Sequence, residues 1–171
     1  LPASIDAVVY AVSAGGYDEA RYRAAYVDGP RNILEALRAI SPRLKRFVFV
    51  SSTGVYAQSD GKWVDEDSPA EQSHPFPTTV VRLGGIYGPG RTRLIESVKS
   101  GSATLPSTPT YVNLVHRDDC AGMIRHLITL GGASDLYLGV DNEPADRREI
   151  LKWIANRIGA PKPPAEEGAI S

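Results

Sequence analysis

Three hydroxyl side chains in a row, Ser51-Ser52-Thr53, follow directly on the run RFVFV from Arg46 to Val50. A run of that composition reads as a strand buried on both faces of a parallel sheet, and ligands bind at the carboxyl ends of such strands. The triplet therefore stands where hydroxyls can hydrogen-bond a ligand, or where they satisfy loop backbone. Beyond the turn Tyr87-Gly88-Pro89-Gly90, which reads as shaping a pocket, Arg91 and Arg93 can meet an anionic substrate or only water. His116 belongs to the residue type that changes charge near neutral pH. Beside Asp118 and Asp119 it reads as a packing and hydrogen-bonding residue. Asp65-Glu66-Asp67 has no converging His or Cys, so it reads as a solvated loop and no metal is expected. The single cysteine, Cys120, can close no internal disulfide and reads as a small buried apolar residue.

These residues need elements to hold them. Ile5 to Ala11 (IDAVVYA) reads as a buried strand, followed by the loop Ser13-Ala14-Gly15-Gly16. Asp18 to Ile40 carries apolar residues at helical spacing, with Gly29-Pro30 expected to kink or divide the helix. Arg46 to Val50 is the second strand, Ala57 to Pro77 a loop, and Thr78 to Leu83 the third strand, with Gly84 to Gly90 expected to end the ladder. Thr92 to Ser100 reads as a helix and Tyr111 to Val115 as a strand. Asp118 or Asp119 is expected to cap a helix to about Leu130, stopped by Gly131-Gly132. Leu136 to Val140 is a strand, and Asp146 with Glu149 forms a capping-box pattern opening a last helix. In that helix Ile150, Leu151, Ile154, Ile158 and Trp153 are expected in the core. Gly159 and Pro161 end it, and the Pro-rich stretch from Pro161 reads as a tail. Strands and helices alternate, so the class is α/β with a mainly parallel sheet.

Composition sets the boundaries. The 171 residues are 42% hydrophobic and 23% charged, normal for a globular domain. Nineteen Lys+Arg against 20 Asp+Glu give 19 − 20 = −1, too little positive charge to hold a phosphate backbone, so no nucleic-acid partner is expected. Apolar runs such as Phe47 to Val50 fall far short of the ~20 residues that span a bilayer, and no charged-then-apolar leader opens the sequence. A cytoplasmic protein with no membrane partner is the expectation. The chain opens at Leu1 with a proline second, as a fragment would.

Four motifs run in order: Val50 to Tyr56 (VSSTGVY), Asp65 to Pro69 (DEDSP), Arg82 with Tyr87-Gly88-Pro89-Gly90, and Val115 to Asp119 (VHRDD). Together they resemble the extended or atypical short-chain dehydrogenase/reductases, the NAD-dependent epimerase/dehydratase family, from Asp6 to about Ile158. The resemblance implies a Rossmann-type doubly wound sheet binding NAD or NADP. It spans the chain as a single domain, incomplete at its amino-terminal side, with small substrate-side elements within about 84–171. By the same resemblance Val12, Ser13 and Ala14 lie beside the cofactor ribose and phosphates, Ser51 on the cofactor, and Leu83 to Ile86 along the nicotinamide end. Ser52 becomes the catalytic hydroxyl that hydrogen-bonds the substrate oxygen, and Thr53, Gly85, Tyr87 and Arg91 become substrate contacts. A hydroxyl donor there stabilises developing alkoxide charge while the cofactor carries the redox chemistry. A small-molecule substrate and a homodimer are the implied partners.

The departures matter equally. The family's GxxGxxG turn, which sets pyrophosphate on a helix N-terminus, is absent, because the sequence opens at what would be the fourth strand. No tyrosine occurs from Ala57 to Pro77, where the family's Tyr-Lys acid/base pair belongs. Gly85 and Val112 stand where sugar-nucleotide enzymes place Asn and Arg, and Tyr26 where a structural Asn is usual. Two functions stay open: an NAD(P)-dependent epimerase, dehydratase or reductase on a sugar nucleotide or similar compound, and a non-catalytic dinucleotide-binding sensor or interaction module.

Overall fold

β-branched and aromatic residues alternate along the strands, and the pleat divides them between two cores. The computed structural model describes residues 5–16, 18–40, 44–53, 66, 78–132 and 135–166. Strands β1 (Ala7–Tyr10), β2 (Arg46–Ser52), β3 (Thr79–Leu83) and β7 (Leu136–Gly139) pair in parallel in that order. On one face Val48, Val81 and Leu83 pack with Val115, Cys120 and Leu127, the last two from helix α4 (Arg117–Thr129). On the other Tyr10, Phe47, Phe49 and Val80 pack against Leu37 of helix α2 (Gly29–Ile40). Each fully buried Val, Leu or Phe contributes about 1.5–3 kcal/mol. Helices thus cover both faces of a parallel sheet, as the alternation of elements implied.

Gly29-Pro30 does not break the first helix; it alters its winding. Helix α1 (Glu19–Arg23), capped by the Asp18 carboxylate, runs into a π-helical turn at Ala24–Asp28 and on into α2. The Gly29 N–H donates to Ala24 O, and Pro30 has no N–H to offer Ala25 O. The Tyr10 hydroxyl, buried under the turn, donates to Ala25 O at 2.6 Å. Gly29 fits because a Cβ there would collide with that hydroxyl.

Several expectations are corrected beyond β3. Gly84 to Gly90 does not simply end pairing: β4 (Gly85–Tyr87) forms a parallel ladder with β6 (Leu114–His116). The expected strand from Tyr111 to Val115 is two, split at Asn113. The other half, β5 (Tyr111–Val112), pairs antiparallel with β8 (Ala145–Asp146). His116, not Asp118 or Asp119, caps α4: its ring accepts the Asp118 N–H, and the aspartates occupy the first turn. Asp146 caps α5 (Arg147–Ile158) as expected, yet Glu149 bonds Lys152 at 2.6 Å. Gly159 (φ +69°) supplies the left-handed stop.

A third core lies between α3 (Arg93–Lys99) and α5, built from Val98, Ala103, Leu105, Leu151, Ile154 and Ala155. Trp153 is not in it: the indole is 66% exposed, and Ile158 is also exposed. The stretch after Pro161 is no free tail, since Pro163 is buried and Leu105 exchanges backbone hydrogen bonds with Pro164 and Glu166. Except for Glu66, the expected loop from Ala57 to Pro77 lies outside the described residues. The Glu66 carboxylate is exposed, but it accepts the Leu138 N–H at 3.0 Å on β7.

Candidate functional site

The register aligns the carboxyl ends of the strands. Ser52 stands opposite Leu83, and Leu83 opposite Gly139. Ser51 is half-buried, and Ser52 is exposed on the face shared by Val48 and Val50 through pleat alternation. Just past Leu83 the chain leaves one ladder for another: Gly84 N donates to Gly139 O at 3.1 Å and Gly85 N to Asn113 O at 2.8 Å. A Cβ on Gly84 would sit 2.6 Å from the Asn113 carbonyl oxygen, which cannot yield, so the crossing requires glycine.

The turn after β4 is pinned to the start of α4. Arg91 N donates to Gly88 O at 2.9 Å, and the Arg117 guanidinium donates to Pro89 O at 2.7 Å. The Tyr87 and His116 rings meet edge to face at 5.3 Å. Gly88, at φ +131°, passes so close under the His116 ring that a Cβ would lie 2.8 Å from Nε2.

An open groove of about 2160 Å³ runs from this turn to α5, lined on the sheet side by Thr53, Gly85, Ile86, Tyr87 and Arg91. The four residues expected to meet substrate are thus brought together, with Ile86 of the expected cofactor contacts among them. The others do not line this groove. Leu83 is buried in the core and can offer a ligand only its backbone, while Val12, Ser13 and Ala14 follow β1 at the far edge of the sheet. Among the described residues no group of three His, Cys, Asp or Glu could hold a metal ion, and no helix is long and apolar enough to cross a membrane. Burial raises the Cys120 thiol above its ordinary pKa, which leaves it protonated and unreactive.

The groove's other wall was missed. Trp153, Arg147 and Arg157 of α5 and Tyr111 of β5 line it. The signal was available: at about 100° per residue, Trp153 lies roughly 200° around α5 from Leu151, on the opposite face.

Four parallel strands covered by helices on both faces, with a polar row at their carboxyl ends, define an α/β protein of the Rossmann type. The sequence model of the NAD dependent epimerase/dehydratase family matches residues 2–80, somewhat under half of the chain. It is 33% identical to a Methylobacillus flagellatus structure described as an NAD-dependent epimerase/dehydratase, with TM-score 0.74 over 97% of this chain and 63% of that one. A Bacillus cereus UDP-glucuronic acid 4-epimerase solved with NAD shares the fold at TM-score 0.74 and 20% identity, over 94% of this chain and 62% of that one. Protein YeeZ of Escherichia coli K12 is 30% identical over 115 residues, 58% of this chain and 41% of YeeZ. The chain thus spans less than two thirds of each of these relatives.

Proposed function

We propose that the protein binds a nicotinamide dinucleotide along the carboxyl ends of β1 to β3 and presents it to a hydroxyl or carbonyl compound in the adjoining groove, a sugar nucleotide or a similar small molecule. The observation that carries this reading is the placement of Ser51 and Ser52 opposite Arg82 and Leu83, beside the Leu83–Gly84 crossing, with the adjoining Thr53 lining the groove that holds Gly85, Tyr87 and Arg91. Solved relatives hold NAD or, in an RMD from Pseudomonas aeruginosa, NADPH.

The residues present fit one half of such a cofactor. The hydroxyls of Ser13 and Ser51 suit a ribose. The pyrophosphate half has no counterpart at α1, whose cap is the Asp18 carboxylate and whose first turn carries Glu19, both of which repel an anion. When bound, the nicotinamide supplies or accepts the hydride. Ser52 holds the substrate oxygen and stabilises charge developing on it, Arg91 attracts an anionic part of the substrate, and Tyr87 with the Gly88–Gly90 turn shapes the cleft.

The test is cofactor titration followed by turnover on a panel of hydroxyl and carbonyl substrates. Ser52→Ala should leave cofactor affinity nearly unchanged and lower kcat by roughly 10²-fold. Absence of cofactor binding and of any nicotinamide absorbance change would overturn the reading. The alternative, a dinucleotide-binding module without chemistry, draws on the absence of any tyrosine followed four residues later by lysine in the 171 residues. Tight NAD(P) binding with no turnover on the panel would select it.

A further inference from the structure

Histidine is an unusual helix cap, and here it fixes a tautomer. His116 precedes α4 with extended backbone (φ −72°, ψ 142°), and its Nδ1 accepts the Asp118 N–H at 3.3 Å. Only an unprotonated nitrogen can accept, so the ring's proton sits on Nε2, over Gly88. On a cationic ring Nδ1 becomes a donor. The Asp118 N–H then loses its acceptor, while the Asp118 carboxylate, 3.8 Å from Nδ1, becomes the nearest partner.

The surrounding charges favour exchange of partners over unfolding. The positive end of α4 opposes a cation at His116. The Asp118 carboxylate favours one, as do Asp119 and Asp141, which line a small cavity of about 320 Å³ with His116 and Tyr87. Arg117, the remaining charge at this helix start, is already engaged by Asp118 Oδ1 at 3.3 Å and by Pro89 O. A ring that turns from the amide to the carboxylate cannot keep both its edge contact with Tyr87 and its seat on Gly88.

We propose that His116 is a proton-driven partner switch: neutral, it caps α4 and seats the Tyr87 turn; protonated, it trades the Asp118 amide for the Asp118 carboxylate and shifts Tyr87 at the groove wall. The switch stands independently of any dinucleotide chemistry. It is tested by NMR on the isotopically labelled protein at about pH 8 and about pH 5.5. At the higher pH His116 Nδ1 should be bare and the Asp118 amide protected. At the lower, that amide should exchange about fivefold faster after correction for intrinsic rates, as expected for loss of a cap, and the Tyr87 ring resonances should move. His116→Asn keeps a capping acceptor that does not titrate, so both changes should vanish while the signals of His74 and His126 remain. A proton on Nδ1 at pH 8, or the same Tyr87 movement in His116→Asn, would overturn the proposal; the first needs no variant.

Discussion

Tyr10 shows how one hydroxyl compensates a missing donor. Its hydrogen bond to Ala25 O is the partner that Pro30 cannot supply, and the ring, 4% exposed, is stacked on Phe49 at 5.6 Å. Tyr10→Phe keeps the packing and strands a buried carbonyl, so stability should fall by about 1–3 kcal/mol, measured by urea denaturation. Burial, with the neighbouring Tyr26, also raises the Tyr10 phenol above its ordinary pKa, so the donor persists through the neutral range. Asp146 makes a contribution that depends on pH. The hydrogen bond from Arg148 holds its carboxyl below the usual carboxylate range. A depressed carboxylate stabilises the fold fully above that range, and the contribution fades as pH falls through the folded-state value. The stability difference between wild type and Asp146→Asn should therefore be full at neutral pH and close in strong acid. Asp146 was legible as a cap from its spacing to the following apolar stripe. The Tyr10 bond was not, because nothing local ties a strand tyrosine to a carbonyl 15 residues onward.

At the scale of elements, α5 separates packing from exposure within one helix. Leu151, fully buried, should cost about 2–5 kcal/mol as Leu151→Ala. Trp153→Ala should change stability by no more than about 0.5 kcal/mol, both read from denaturant midpoints. Apolarity alone put Trp153 in the core; angular position put it in the groove. Strands β2, β3 and β7 were legible because apolar runs on a sheet buried on both faces are nearly continuous. The pairing of β4 with β6 was not, since glycines 84 and 85 read as a break and the partner strand lies about thirty residues further on. Thr53, Gly85, Tyr87 and Arg91 were legible as a site through motif order, and the α5 wall was not, because no motif marks it.

At the scale of the whole molecule, among the described residues the four-stranded sheet ends at β1 on one side and on the other at β7, whose Leu138 N–H is taken by Glu66. β1 pairs only with β2, and Val9 on it is 40% exposed. An unpaired parallel edge invites association, and a lysine there opposes it. Sedimentation should show concentration-dependent self-association of the 171-residue chain that Val9→Lys reduces. The parallel class of the sheet followed from alternating elements, whereas this uncovered edge emerges only once the pairing is known. The π-helical turn carries a different consequence, one of length. Five residues, Ala24–Asp28, fill a turn whose flanking partners, Ala24 O and Gly29 N, would remain bonded across an ordinary α-turn with one residue fewer. Helix α1 buries no residue and so imposes no register of its own. Val27, exposed within the turn, is in this sense a spare residue: a chain shortened by it should keep its fold, a tolerance that single-residue deletions in the buried strands do not share.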